Sequence, residues 1–194
     1  MAKTVTGPRV ITPRARLSFP SLLRPDTGGQ YSDGKFKCTL VFDKKDQAVL
    51  AGLKDLNVAA KKVAMEAFGP EAKGIDMPFR DGNEKADKNE AYKDTVLITA
   101  KSKYRPGVCG PDPKVEITEE ADLYGGCYVR ASLVPFSYAQ GKNTGVSFRL
   151  CNVQKVAEGN PFGGNRVTAA DEFGAVPSIA NNEATPFEED DLGF

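Results

Sequence analysis

Between Gly126 and Ala139 the chain reads GCYVRASLVPFSYA, and its even positions bring together Tyr128, Arg130, Phe136 and Tyr138. Side chains alternate across a strand, so Cys127, Val129, Ala131 and Leu133 form one face, suited to a core, while Tyr128, Arg130, Ser132 and Val134 form the other. Provided Pro135 leaves the phase unchanged, this second face continues to Phe136 and Tyr138. Aromatic rings beside a guanidinium on a wetted surface can stack unpaired bases and meet phosphates, which requires no bond to be made or broken. One ring alone on such a face more often packs under a loop or a second layer. Several along one strand, next to Arg130, point to stacking.

Bond-breaking chemistry has little to draw on. The chain has no histidine, the commonest general base, and no glycine-rich phosphate loop. The carboxylates around FRDGNEKADKNE (Asp81, Glu84, Asp87, Glu90) miss the spacing of a calcium loop, with Ala86 where that loop needs glycine. Cys38, Cys109, Cys127 and Cys151 are far apart and form no CxxC pair, so reduced, half-buried thiols are expected; a site made of all four would require the fold to converge them. The expectation is a protein that is not an enzyme and uses neither cofactor nor metal.

The elements that must position the rings and cations follow from periodicity. Arg9–Phe19 alternates after Pro13, with Ala15, Leu17 and Phe19 on one side and Arg14, Arg16 and Ser18 on the other. Pro20–Gly34 is rich in Pro, Gly and Asp and reads as a loop. Gly34–Asp43 alternates again, with Phe36, Cys38, Leu40 and Phe42 inward and Lys35, Lys37 and Thr39 outward. From Asp43 to Phe68 the period becomes helical, with Val49, Leu53, Leu56, Ala60, Val63 and Ala67 in phase between an Asp43 cap and a Gly69-Pro70 stop, and with Gly52 or Asn57 as points of interruption. Pro70–Asp94 is polar and reads as a solvated loop.

Thr95–Arg105 is a strand ending in Lys101, Lys103, Tyr104 and Arg105. After a break at Pro106–Pro113 and a connection with an acidic middle comes the strand of the opening paragraph. Gln140–Asn143 signals a turn into GVSFRLCNVQKV, with Val146, Phe148 and Leu150 inward and Ser147, Arg149, Cys151 and Lys155 outward, so the last two strands read as a hairpin. Five strands with one helix in an early connection predict a mainly β fold, a five-stranded antiparallel barrel of the OB type. The proposed outer face of each strand carries Arg or Lys, the electrostatic footprint of nucleic-acid binding.

A chain of 194 residues, 40% hydrophobic and 27% charged, can bury a core as one domain with extensions. It lacks the run of roughly 20 apolar residues a membrane helix needs and an apolar stretch at its start, so a cytosolic location is expected, in its own cell or a host's. The net charge of zero hides an asymmetry. From Ala157 onward eight acids face Arg166 alone, a charge of −7 that leaves +7 on residues 1–156. A binding domain over 1–156 and a flexible acidic tail over 157–194 follow. The tail ends NNEATPFEEDDLGF, and Phe187, Leu192 and Phe194 are more than solubility requires; they suit docking to a partner.

The segments FRDGNEK, ITAKSKYRP, YGGCYVRASLVPFSY and GVSFRLCNVQKV, in that order, resemble the marks of a phage protein family long carried as a domain of unknown function. Its members are understood as OB-fold single-stranded DNA-binding proteins, similar in plan to the replication SSBs of tailed podoviruses. The resemblance covers about Val5 to Val156. It implies a protein that coats and protects single strands in phage replication or recombination. By position it supports Arg14, Arg16, Lys35, Lys37, Lys101, Lys103, Tyr104, Arg105, Tyr128, Arg130, Phe136, Tyr138 and Arg149 as DNA contacts. The tail resembles the acidic, Phe-ended tails of replication SSBs, which suggests a polymerase, helicase or primase as its partner. An RNA-binding or virion scaffold protein using the same basic sheet is the alternative.

Overall fold

Alternating stretches become strands and the stretch of helical period becomes one helix. The computed structural model describes residues 4–30, 32–141 and 143–163. Phe187, Leu192 and Phe194, with the acidic segment around them, lie outside the described residues. The elements in order are β1 (Val10–Ile11), β2 (Ala15–Ser21), β3 (Phe36–Asp43), α1 (Gln47–Phe68), β4 (Arg80–Asp81), β5 (Thr95–Ser102), β6 (Gly107–Cys109), β7 (Tyr128–Gln140) and β8 (Asn143–Ala157).

β2 pairs antiparallel with β3 and with β7, β3 antiparallel with β5, β5 parallel with β8, and β8 antiparallel with β7. Hydrogen-bonded neighbours therefore run from β2 through β3, β5, β8 and β7 back to β2. The short β1, β4 and β6 add to β7, β5 and β8 respectively. Two features depart from an all-antiparallel set of five strands: three short strands join the five long ones, and β8 meets both β5 and β6 in parallel. A parallel neighbour needs a long crossover, which Gly107–Gln140 supplies between β5 and β8. The expected β7–β8 hairpin forms, paired from Tyr128↔Ala157 to Gln140↔Asn143, with Gly141 at φ 59° in its turn.

α1 is continuous through Gly52 and Asn57. Its cap is Asp46, not Asp43: Asp46 Oδ1 accepts from the backbone N–H of Ala48 (2.9 Å) and Val49 (3.2 Å), whereas Asp43 Oδ1 accepts from Lys45 N one turn too early. Gly69, at φ 86°, ends it. Gly52 interrupts nothing because it faces Pro13, where a Cβ would stand only 2.8 Å from the ring. Val49, Leu53, Leu56, Ala60 and Val63 are buried as their period requires, joined by Ala59 and Ala64, and the helix packs on β7, β8 and β3. Leu17, Leu40, Phe42, Ile98, Leu133, Phe148 and Leu150 fill the core between the strands, each worth about 1.5–3 kcal/mol of burial. Cys38 and Cys127 are buried and Cys109 and Cys151 half-buried, all with free thiols; burial pushes the Cys38 thiol up to about 12.

Two bulges overturn facings expected from strict alternation. In β2 the register passes from Ser18↔Thr39 to Ser21↔Lys37, so one extra residue is accommodated and the phase shifts. Phe19, expected in the core, takes φ 45° and is 71% exposed. Ser18, ahead of the bulge, keeps the outer facing of its partner Thr39 but is buried beneath Tyr92, whose hydroxyl shares a 2.7 Å hydrogen bond with it. In β8 the register passes from Ser132↔Asn152 to Leu133↔Leu150, leaving Cys151 unopposed. Beyond it Val153 and Lys155 turn inward, so Lys155, expected outside, is 8% exposed.

Candidate nucleic-acid interface

Strand register aligns the cations. Lys37 lies opposite Lys101, Lys101 opposite Arg149, and Arg149 opposite Val134, so three basic side chains cross β3, β5 and β8 in one row at strand spacings of about 4.8 Å. Beside this row Thr39 lies opposite Thr99, their hydroxyls 3.0 Å apart, and Phe136 lies opposite Ser147. Pairing runs unbroken through Pro135↔Phe148, so proline leaves the phase intact and Phe136 and Tyr138 share the outer face.

Tyr138 lies opposite Gly145, where a Cβ would come within 2.7 Å of its hydroxyl, so the glycine makes room for the ring. Its hydroxyl donates to Asp76 Oδ2 at 2.9 Å, and Arg80 Nη2 grips both oxygens of Asp76 at 2.7 and 2.9 Å. Burial, then the Asp76 carboxylate, pushes the Tyr138 hydroxyl above its ordinary value and keeps it a neutral donor. The loop that places Asp76 is tied to β8, with Asp76 N–H donating to Thr144 O at 3.0 Å and Val146 N–H to Asp76 O at 2.9 Å.

Asp76, Arg80, Thr99, Lys101, Phe136, Tyr138 and Arg149, but not Lys37 at the β3 end of the row, line an open groove of about 840 Å³. Of the residues expected to meet DNA it gathers Lys35, Lys101, Lys103, Tyr104, Phe136, Tyr138 and Arg149, with Tyr104 81% exposed. It also gathers Arg80 and Lys85, from the stretch whose polarity predicts a solvated loop. Their only sequence signal is that both lie in FRDGNEK, one of the segments that carry the family resemblance, whose two bases and two acids cancel. What brings them in is β4, which sets Arg80 opposite Leu97 on β5.

The loop between β2 and β3 partly neutralises this surface. Asp33 pairs with Lys101 at 2.8 Å and with Lys35 at 3.9 Å, and Asp26 pairs with Lys37. The hydrogen bond from Lys101 holds the Asp33 carboxyl below its ordinary value, as that from Lys37 does for Asp26. Among the described residues, Arg149 and Lys103 have no carboxylate partner.

The remaining expected contacts lie apart from the groove. Tyr128 and Tyr138 are ten residues apart on β7, about 33 Å along an extended strand. The guanidinium groups of Arg14 and Arg16 stand 4.9 and 5.8 Å from the Tyr128 ring centre, and Arg16 also lies 4.1 Å from that of Phe162. Arg16 donates to Gly126 O at 3.1 Å and to Asn160 O, and Arg14 pairs with Asp46 at 3.4 Å. Arg130 Nε donates to Gln154 Oε1 at 2.7 Å, and Arg105 pairs with Glu116 at 3.7 Å. Phe162, assigned to the tail by sequence reading, packs edge-on against Tyr92 at 6.1 Å and thereby holds the chain after β8 on the body.

Comparison with known proteins places this arrangement among relatives. The family model described as the Enterobacter phage Enc34 single-stranded DNA-binding protein matches residues 8–185. The p50 protein of Acyrthosiphon pisum secondary endosymbiont phage 1 is 26% identical over 180 residues, 87% of this chain and 93% of that protein. The structure of the bacteriophage Enc34 single-stranded DNA-binding protein in complex with single-stranded DNA aligns with a TM-score of 0.68 at 21% identity, covering 79% of this chain and 89% of that one. The structure of gp2.5, a single-stranded DNA-binding protein encoded by bacteriophage T7, aligns with a TM-score of 0.56 at 17% identity, covering 91% of this chain and 100% of that one. At these identities the structural likenesses establish a shared fold.

Proposed function

The chain belongs to the Enterobacter phage Enc34 single-stranded DNA-binding protein family, and from that membership we propose that it binds single-stranded DNA without sequence preference and without catalysing a reaction. The observation that carries the reading is the row Lys37, Lys101 and Arg149 running beside Phe136 and Tyr138 on one open face. Phosphates meet the row and the flanking Lys35, Arg80, Lys85 and Lys103, while bases stack on Phe136, Tyr138 and the strand-end Tyr104. Asp76 fixes the Tyr138 ring for this task by holding its hydroxyl. The surface offers charge and π-faces with few groups aimed at base edges, which supports sequence tolerance.

We read the circuit of β2, β3, β5, β8 and β7 as the five-stranded barrel of an OB-fold, whose sheet face carries the groove. Arg14, Arg16 and Tyr128 then act in the body, gripping the segment through Phe162. Beyond that segment the acidic tail competes with DNA for the basic face, and its Phe187, Leu192 and Phe194 dock a replication protein such as a polymerase. The setting is DNA replication or recombination in the cytoplasm of a phage-infected cell.

Titration of labelled oligo-dT, oligo-U and duplex DNA against the full chain at several salt concentrations tests the reading. Single-stranded DNA should bind tightest. If about five phosphates are engaged, log affinity against log salt should fall with a slope near −3 to −4. Equal affinity for duplex, or a slope near zero, would overturn it.

A further inference from the structure

Phe19 occupies a backbone conformation that a bulky side chain rarely adopts, with φ 45°, and still exposes 71% of its surface. Both facts come from the bulge in β2. Without the extra residue between Ser18 and Ser21, alternation from Ala15 and Leu17 would send Phe19 into the core. The bulge instead leaves it unpaired and exposed at the register step between Ser18↔Thr39 and Ser21↔Lys37. Thr39 and Lys37 in turn lie opposite Thr99 and Lys101. Phe19 therefore stands on the strand next to the cationic row, two strand spacings or about 10 Å from Lys101.

We propose that Phe19 is a stacking residue for an unpaired base, carried onto the cationic face by the bulge in β2. The inference rests on the single-stranded DNA reading above and extends the binding path from the groove across β3 to β2. The surroundings favour a base over an apolar protein partner. The neighbouring outward residues are Lys37, Thr39 and Ser21, a cation and two hydroxyls rather than an apolar patch. A nucleotide matches them, since its base covers the ring while its phosphate takes Lys37 in exchange for the Asp26 carboxylate.

The chain contains no tryptophan, so Phe19→Trp installs a single indole as a probe. Its emission should be quenched saturably by oligo-dT, along the same isotherm as the anisotropy of the labelled oligonucleotide. Phe19→Ala and Phe19→Leu should each weaken oligo-dT binding about tenfold at fixed salt while leaving the melting temperature nearly unchanged, because a leucine keeps apolar bulk but has no π-face. Indole emission that stays constant while anisotropy reports full binding would overturn the proposal and leave the single-stranded DNA reading standing. So would wild-type affinity in both Phe19→Ala and Phe19→Leu. Failure of the unaltered chain to bind oligo-dT would overturn the underlying reading instead.

Discussion

Asp33 holds two of the groove's lysines, at 2.8 Å from Lys101 and 3.9 Å from Lys35, and any phosphate reaching them must displace it. Replacing Asp33 with Asn should tighten single-stranded DNA binding several-fold at low salt, with the gain shrinking as salt screens the pair. In a Lys101→Ala background most of that gain should vanish, a coupling that a double-mutant cycle measures directly. The pH dependence has a definite sign. The carboxyls of Asp26 and Asp33 lie below their ordinary value of 3.8, so whatever these pairs add to stability is present above that value and is lost as pH falls through the lowered ones. Around neutrality the loop stays paired. A D33N protein that bound no better than wild type at low ionic strength would show that the pair does not oppose DNA.

The bulge in β8 turns a lysine inward, and the chain after the strand answers it. Lys155 Nζ lies 2.6 Å from Glu158 and 5.4 Å from the Tyr124 ring centre, and the Tyr124 hydroxyl donates to Glu158 at 2.6 Å. Burial lowers the Lys155 pKa, but the hydrogen bond and charge of Glu158 outweigh it and the net shift is upward. Glu158 in turn is held low, first by Lys155 and then by Tyr124. Glu158→Ala should therefore destabilise the fold by about 1–2 kcal/mol, less than a fully buried pair would lose because Glu158 faces water. Thermal melts should show the difference at neutral pH. They should show it fade as pH falls below the ordinary carboxyl range, where the native Glu158 is itself protonated.

Across the whole molecule the charge is divided, +7 over residues 1–156 against −7 beyond them. If the acidic end competes for the basic face, truncation after Asn182 should tighten oligo-dT binding at low salt, and the advantage should disappear as the Debye length falls to about 8 Å at physiological ionic strength. Phe194→Ala alone should leave DNA affinity nearly unchanged and weaken recruitment of a replication partner in a pull-down. A truncated chain that binds no better than the intact one at low salt would remove the competitor role and leave docking.

Composition and periodicity were enough for the mainly β class, the single long helix, the β7–β8 hairpin and a basic sheet bearing Phe136 and Tyr138, because burial imposes period two on a half-covered strand and a period near 3.6 on a helix. They placed the helix cap three residues early, since Asp43 and Asp46 are chemically alike and only the backbone's entry into the helix selects between them. They could not see either bulge: strict alternation carries no mark of an inserted residue, so Phe19 and Lys155 were assigned to the wrong sides. Nor could they sort cations that share a face from cations that share a site. Tyr128 and Tyr138 have the same parity on one strand yet serve opposite ends of it, while Lys37, Lys101 and Arg149, far apart in the chain, form one row. Parity is a local property of the chain, but register between strands depends on the pairing of distant segments, and that pairing determined which of the cations became neighbours.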